Sequence, residues 1–241
     1  MKRPHFVLSL SLLCLLLSLT FNPSRSSAQL ASPKGAATAA LEQDVLKEIN
    51  LARTQPAEYA AYLEGLRPYF KGKEYRHPGA PAILTQEGAP ALEEAIAALR
   101  AVRPAPALSL SQGMTSGARE LVKDQAGTDV TGHKGSDGSF VEQRSLRFGA
   151  WKEPIGENLS YSTDTARERV LTLLIDDGFA NRGHRQRLLD ASYRVAGVAC
   201  GDHKLGAMCV ITLAGGFTDG PARTALPAKS LAPVPNGARR F

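Results

Sequence analysis

The sequence has few cysteines, few aromatic residues and no long apolar run beyond its N-terminus. Three of its 241 residues are cysteine, one is tryptophan and 6% are aromatic. The hydrophobic fraction of 43% and the charged fraction of 22% are those of an ordinary globular protein, which excludes a disordered or fibrous chain. A chain of this length accommodates one good-sized domain or two small ones.

The single apolar run, residues 6–21, follows a basic start, and Ser26–Ala28 has the small-x-small form of a cleavage site. This pattern predicts a secretory signal peptide over residues 1–28, and therefore a secreted or periplasmic protein. A membrane anchor is the alternative, but about 16 apolar residues are fewer than the ~20 that a span needs. Cys14 lies within the run without the small residues that precede a lipid-modified cysteine.

Little positive charge remains once the predicted signal peptide is removed. The whole chain has a net charge of +6, and residues 1–28 contribute Lys2, Arg3 and Arg25 but no acid. The remainder therefore carries 26 basic and 23 acidic residues, a net charge of +3. This mild, scattered charge gives no support to nucleic-acid binding. We expect a monomer without a transmembrane span after cleavage, whose partner is an extracellular or envelope ligand.

Two cysteines, Cys200 and Cys209, remain after signal cleavage and lie in two β-rich runs on either side of GDHKLGAM. An exported protein meets an oxidising compartment, and facing positions on a hairpin suit a disulfide. We therefore predict a Cys200–Cys209 disulfide, with two buried thiols as the alternative. Metal ligation by this pair is disfavoured because no second cysteine pair accompanies it.

The composition divides the rest of the chain into three parts. Residues 29–37 are small and predict a linker, 38–217 predict a single domain, and 218–241 are rich in Pro and Ala and predict a flexible tail. Within the domain, apolar residues recur every three to four positions, and capping boxes at Ser109–Gln112 and Thr165–Glu168 mark two helix starts.

Two β-rich runs, YRVAGVAC and AMCVITLAGGF, predict a hairpin near the end of the domain. Helices followed by a hairpin do not show the βαβ alternation of a parallel sheet. We therefore predict an α+β domain in which helices pack around a small, mostly antiparallel sheet.

Four histidines follow the signal peptide. His77 lies in a polar loop and His203 in a hairpin turn, and both are most simply solvated. His133 and His184 each lie beside glycines, where the backbone can approach closely and leave the ring facing a cavity. These features alone are weak evidence for a shared site, and capping or hydrogen-bonded core histidines are the alternative.

Four segments together resemble the CAP superfamily of cysteine-rich secretory proteins, antigen 5 and pathogenesis-related 1 proteins, in its bacterial form. IGENLSYS is similar to the GENL signature, and GHRQRLLDASYRVAGVAC to the Gly-His-Arg signature. DVTGHKGSDGSFVEQR resembles the earlier histidine loop, and VLKEINLARTQPAEYA the first helix. The resemblance covers about 41–217, with a candidate insertion around 67–105.

The resemblance implies a three-layer α-β-α sandwich with a central antiparallel sheet. It also implies a cleft lined by two histidines and two acids. His133, Glu157 and His184 match three of these positions. The second acid falls on Asp176 or Asp177, and we prefer Asp177 because it lies at the helix end.

Two roles are open for this set of residues. Glu157 can hold and polarise a histidine, because a carboxylate beside imidazole fixes its tautomer. Alternatively, His133 and His184 can bind a divalent cation such as zinc, as in some family members, with the carboxylates orienting the rings. The structural alternative is that Glu157 caps a turn, and we interpret Asn158 as structural, bonding to nearby backbone.

Arg182 and Arg185 flank His184, and their guanidinium groups could recognise an anionic group at the cleft edge. A basic turn paired with neighbouring aspartates is the alternative.

For the whole protein we keep two hypotheses. The first is a binding module for a divalent metal or a small lipid, glycan or peptide. The second is a hydrolase in which Glu157 or a histidine activates water on a peptide or cell-wall substrate.

Overall fold

A computed structural model describes residues 33–79, 82–162 and 165–221. The predicted signal peptide and nearly all of the predicted tail lie outside these residues. The helices in the described range are α1 (Pro33–Thr54), α2 (Pro56–Glu64), α3 (Ala89–Ala101), α4 (Gln112–Gln125), α5 (Val141–Leu146), α6 (Ala166–Ile175) and α7 (Gly183–Leu189). The strands are β1 (Phe70–Lys71), β2 (Glu74–Tyr75), β3 (Ile83–Leu84), β4 (Ser109–Leu110), β5 (Gly149–Ser162), β6 (Val195–His203) and β7 (Gly206–Asp219).

Two element boundaries differ from the predicted domain limits. Helix α1 begins at Pro33, inside the segment 29–37 that was predicted as a linker, and β7 continues to Asp219. Proline suits the first turn of a helix and alanine favours its interior, so a small-residue segment of this kind is also compatible with a helix. None of the described helices is long and apolar enough to cross a membrane.

The central sheet has the strand order β4-β6-β7-β5. Strands β6 and β7 form the predicted hairpin, and β7 pairs along nearly its whole length with β5, both in antiparallel fashion. The two-residue strand β4 adds a short parallel pairing to β6. Strand β5, which carries the GENL segment, therefore lies at one edge of the sheet.

The side chains of β5 alternate between two helical layers. Leu159 and Tyr161 pack against a cluster that includes Leu121 and Val122 of α4. Ser160, between them, accepts a hydrogen bond from Arg169 of α6. Because successive strand residues face opposite sides of a sheet, α4 lies on one side and α6 on the other.

The larger hydrophobic core lies on the α6 side of the sheet. It joins residues of β6 and β7 to α1, α2, α3, α6 and α7. On the opposite side, α4 lies so close to the sheet that a Cβ at Gly197 would come within 2.3 Å of the Met114 carbonyl carbon. The arrangement is the expected three-layer α-β-α sandwich.

A disulfide joins Cys200 and Cys209, which face each other across β6 and β7 with a Cα–Cα distance of 4.1 Å. The Cys200 amide donates to Glu42 Oε1 of α1 at 2.8 Å instead of to β7. The bridge therefore occupies a non-hydrogen-bonded pair, where opposed residues lie closest. The predicted disulfide is confirmed, and both cysteines are buried.

Arg53 of α1 is a buried cation whose hydrogen-bond acceptors, within the described residues, are all backbone carbonyls. Its guanidinium donates to the carbonyl oxygens of Pro106, Leu188, Asp190 and Tyr193 at 2.7–3.1 Å. Burial lowers its pKa, which the charge of Asp190 partly offsets. These bonds fix the turn that follows α7 against α1.

The segment between α2 and α3 lies within the candidate insertion around 67–105. It contains β1, β2 and β3, which form a small antiparallel sheet of two-residue strands. Strands this short do not produce a readable alternation of apolar and polar residues, so no strand was predicted here. The segment leads directly into α3, and the residues just before that helix contact the loop after α6.

Candidate functional site

Glu157 and His133 form the first acid–histidine pair. Glu157 Oε1 lies 2.9 Å from His133 Nδ1. The Glu157 side chain is only 2% exposed, whereas the His133 side chain is 40% exposed. The carboxylate therefore holds the ring from inside the protein, and the ring's other nitrogen, Nε2, is directed away from that contact.

The second oxygen of Glu157 binds a buried arginine. Arg144 Nη2 of α5 donates to Glu157 Oε2 at 2.7 Å, and both side chains are 2% exposed. Arg144 Nη1 also donates to the carbonyls of His133 and Ser139. One arginine therefore neutralises the buried carboxylate and fixes the loop that carries His133.

Tyr161 supports the same loop from the strand. The Gly132 amide donates to Tyr161 Oη at 2.9 Å, and Tyr161 Oη donates to Gln125 Oε1 at 3.0 Å. Gln125 Nε2 in turn donates to the Gly132 carbonyl, and Gly132 has a φ of 106°. Burial raises the pKa of Tyr161, so its hydroxyl stays neutral and can donate and accept at once. His133 is thus held by its ring and by the backbone on both sides of it.

Asp176 and His184 form the second acid–histidine pair. Asp176 Oδ1 lies 2.6 Å from His184 Nδ1, and Asp176 Oδ2 accepts the backbone amides of His184 and Arg185. Asp176 ends α6 in the left-handed conformation, with a φ of 57°, and its side chain is 1% exposed. The ring of Phe179 meets the His184 ring edge to face, with centroids 4.8 Å apart.

The preference for Asp177 over Asp176 is wrong. Asp177 accepts the backbone amides of Gln86, Glu87 and Gly88 at 2.5–3.2 Å. Those amides precede α3, so Asp177 neutralises that helix's N-terminal end. The left-handed turn at Asp176 sends the two neighbouring carboxylates to different elements, which a helical register does not reveal.

Arg182 and Arg185 do not lie at a cleft edge as anion-binding groups. Both residues are buried and pair with Glu94 of α3, and Arg182 also pairs with Glu87. Arg185 additionally donates to the carbonyls at the end of α6. The predicted alternative partners were aspartates, so the acidic partners of these arginines were also missed.

Asn158 connects the GENL strand to the second histidine. Its Nδ2 donates to the His184 carbonyl at 3.1 Å, and its Oδ1 accepts from Arg187 Nη1 at 2.6 Å. Gly156 lies on the same side of the strand, where a Cβ would come within 2.7 Å of Arg187 Cδ. The interpretation of Asn158 as a structural residue is confirmed, and it reaches across to α7.

The other two histidines belong elsewhere. His77 is partly buried and its ring contacts Tyr69. His203 is buried, with Nε2 2.9 Å from the Val130 carbonyl and Nδ1 accepting the Leu205 amide, so it is not the solvated residue that we expected.

The two pairs share one chemical arrangement. In each, a buried carboxylate binds Nδ1, which leaves Nε2 as the nitrogen with a lone pair for a proton, a donor or a metal. The described part of the chain contains no group of three or more His, Cys, Asp or Glu side chains arranged to hold a metal ion. Any metal ligation here would depend on the two imidazoles.

Arg144, Tyr161 and the acids of α3 were the supporting residues that the sequence did not reveal. Arg144 lies eleven positions after His133, inside the quoted histidine-loop motif, so its presence there was the available signal. Glu87 and Glu94 lie about ninety residues before their partners. No local pattern connects residues so far apart.

The sequence profile of the CAP family, described as the cysteine-rich secretory protein family, matches residues 93–212. Similar solved structures include an extracellular protein with an SCP domain from Bacillus anthracis, at 20% identity and a TM-score of 0.35, covering 46% of this chain and 34% of that one. A cysteine-rich secretory protein from Staphylococcus aureus has 14% identity and a TM-score of 0.31, covering 52% and 37%. The CAP domain of enterococcal PrgA has 15% identity and a TM-score of 0.33, covering 49% and 58%.

The matched regions span about a third to somewhat over half of those structures' own chains. No protein of curated function matches the sequence. The profile match contains both acid–histidine pairs, the GENL strand and the disulfide. The chain belongs to the CAP superfamily of cysteine-rich secretory proteins.

Proposed function

We propose that the domain is an exported binding module in which His133 and His184 bind a divalent cation or a small extracellular ligand. Export is supported by the predicted signal peptide and by the disulfide, which suits an oxidising compartment. The proposal rests chiefly on one observation, the matched Nδ1–carboxylate contacts of the two histidines.

The donor set fits a zinc ion. Zinc accepts neutral imidazole nitrogens, and a carboxylate on the far ring nitrogen is the usual support of such a ligand. Glu157 and Asp176 occupy that supporting position, so the ligand atoms would be the two Nε2 nitrogens. Bound zinc would supply Lewis-acid chemistry. Two protein ligands leave open coordination positions, so we expect modest affinity that falls in acid.

A ligand without a metal is equally compatible with the two rings. An imidazole whose Nδ1 donates to a carboxylate presents Nε2 as an acceptor for the hydroxyl of a glycan or lipid or the amide of a peptide. Phe179 is 56% exposed and contacts His184, so an apolar surface adjoins this acceptor. The rigid support of both rings keeps the entropic cost of binding low.

Zinc titration by calorimetry tests the cation proposal. The protein purified after export should bind about one zinc ion per chain, and His133→Ala and His184→Ala should each abolish binding. His77→Gln serves as the matched control and should bind like the wild type, because His77 contacts Tyr69 and neither acid–histidine pair. Absence of heat above the buffer value in a folded protein would overturn the cation proposal.

A hydrolase is the second candidate, and the exposure of His133 favours it over a purely structural site. Glu157 is occupied by Arg144 and by His133, so it orients the ring and is not available to activate water. The general base would instead be His133 Nε2, on a ring that is 40% exposed and backed by a carboxylate. Incubation with a peptide library and cell-wall fragments should then show cleavage that His133→Ala abolishes. Cleavage unchanged in that variant would remove His133 from the reaction.

A further inference from the structure

The loop between α6 and α7 carries the second acid–histidine pair in a conformation that needs outside support. Asp176 and Arg182 both have positive φ angles, 57° and 51°, which residues other than glycine adopt only at a cost. His184 follows Arg182 by two positions. The position of the His184 ring therefore depends on the contacts that hold Arg182.

Arg182 is held by two acids from α3 and the turn before it. Its guanidinium donates to both carboxylate oxygens of Glu87 at 2.6 Å and to Glu94 Oε2 at 2.7 and 3.0 Å. The same group donates to the Asp176 carbonyl at 2.8 Å and the Phe179 carbonyl at 3.2 Å. These ion pairs thus orient Arg182 towards the backbone carbonyl of Asp176, whose side chain binds His184.

Glu94 also reaches the second histidine by another route. Its Oε1 accepts from Arg185 Nη1 at 2.9 Å, and Arg185 donates to the carbonyls of Leu174 and Ile175 at the end of α6. Asp176 follows Ile175 directly. One carboxylate on α3 therefore supports both ends of the loop that positions the Asp176–His184 pair.

We propose that Glu94 is a positioning residue for His184, acting through Arg182 and Arg185. Glu87 contributes to the same role through its ion pair with Arg182. Hydrogen bonding by Arg182 lowers the pKa of Glu94 and holds the pKa of Glu87 at about 2, so both acids are charged at neutral pH. The first pair, Glu157–His133, has its own arginine, Arg144, and does not contact this network. The contacts of Glu94 therefore concern His184 and not His133.

The neighbouring residue Glu93 provides a closely matched control. Glu93 lies on the same helix and pairs with Arg67 at 2.6 Å, away from the loop. Its side chain is 48% exposed, against 49% for Glu94. Glu93→Gln and Glu94→Gln therefore remove the same charge from side chains of similar exposure. The first variant affects Arg67, whereas the second affects Arg182 and Arg185.

The test is ¹H–¹⁵N NMR of the histidine rings, which reads the His184 Nδ1–H bond directly. Glu94→Gln should shift the His184 ring resonances and leave those of His133 unchanged. Glu93→Gln should change neither histidine. Glu94→Asp should restore part of the wild-type His184 signal, because it returns the charge. Unchanged His184 signals in Glu94→Gln, or equal shifts of His133 and His184, would overturn the proposal.

Glu87→Gln provides a second variant if Glu94→Gln does not fold, and it should shift His184 in the same direction. The inference takes His184 as part of the proposed site, but its main measurement needs no ligand. If zinc binds the wild type, Glu94→Gln should weaken it about tenfold and Glu93→Gln less than twofold. Failure of the wild type to bind zinc would reject the cation proposal alone, because the ring signals would still test the positioning role.

Discussion

Glu157 and Asn158 are adjacent on β5 and reach opposite sides of the sheet, where each holds one of the two histidines. Glu157 binds the His133 ring, and Asn158 binds the His184 backbone carbonyl. The alternation of side chains along the strand thus lets two neighbouring residues contact elements on both sides of the sheet. These two contacts explain why Glu and Asn are adjacent in the GENL segment.

Removal of the Asn158 amide should destabilise the protein and disturb only the second pair. Asn158 is fully buried, and Asn158→Ala leaves the His184 carbonyl and Arg187 each without one partner. We expect a loss of about 2–3 kcal/mol in chemical denaturation. The His184 ring signals should shift while those of His133 stay in place. A stable variant with unchanged His184 signals would contradict the role assigned to Asn158.

Loss of the Glu157 charge should be more damaging than loss of the His133 ring. Glu157→Gln leaves the buried Arg144 without its counterion, which costs about 3–5 kcal/mol in other buried pairs. His133 is 40% exposed, so His133→Ala should cost much less. In a double-mutant cycle, Arg144→Met should recover part of the stability lost in Glu157→Gln. Additive losses in urea denaturation would show that the two charges are not coupled.

The Arg53 contacts predict a large effect from a single N-terminal helix residue. Arg53→Met leaves four carbonyl oxygens, two of them in buried contacts, without this donor, and we expect a loss of about 3 kcal/mol or more. Arg103→Met at an exposed position is the control and should stay within about 0.5 kcal/mol of the wild type. Equal midpoints for the two variants in thermal unfolding would contradict the assignment.

Acid should weaken the α3 contact with the loop after α6. Arg182 holds the pKa of Glu87 at about 2 in the folded protein, below the ordinary value of 4.5. The unfolded chain then binds more protons between these values, so stability falls as the pH drops from about 4.5 towards 2. Glu87→Gln should reduce the fall of the melting temperature with pH over this range. The exposed control Glu58→Gln should keep the wild-type dependence on pH.

The disulfide should be inaccessible to reductant until the protein unfolds. Cys200 is 3% exposed and Cys209 is fully buried within the sheet. Dithiothreitol should leave the bridge intact in buffer and reduce it only with added denaturant, as followed by thiol labelling and mass spectrometry. Replacing both cysteines by alanine should cost about 2–3 kcal/mol, as expected for a loop of this size.

The sequence predicted the fold, and its motifs contain three of the four residues that form the two acid–histidine pairs. His133, Glu157 and His184 lie in motifs whose order fixed their identity, and the two β-rich runs around Cys200 and Cys209 predicted their bridge. Asp177 was preferred over Asp176 because the left-handed conformation of Asp176, which sends the two carboxylates to different elements, cannot be read from a helical register. The acids of α3 were missed because their pairing with Arg182 exists only after distant segments have packed.

The four acceptors of Arg53 place a limit on when this protein can finish folding. Three of them, on Leu188, Asp190 and Tyr193, come 135–140 residues after the arginine in the chain. A polypeptide emerging from a ribosome or a secretion pore thus presents its first helix long before the groups that stabilise it. These contacts of α1 can therefore form only after α7 and the turn that follows it have emerged, which makes them late events in folding.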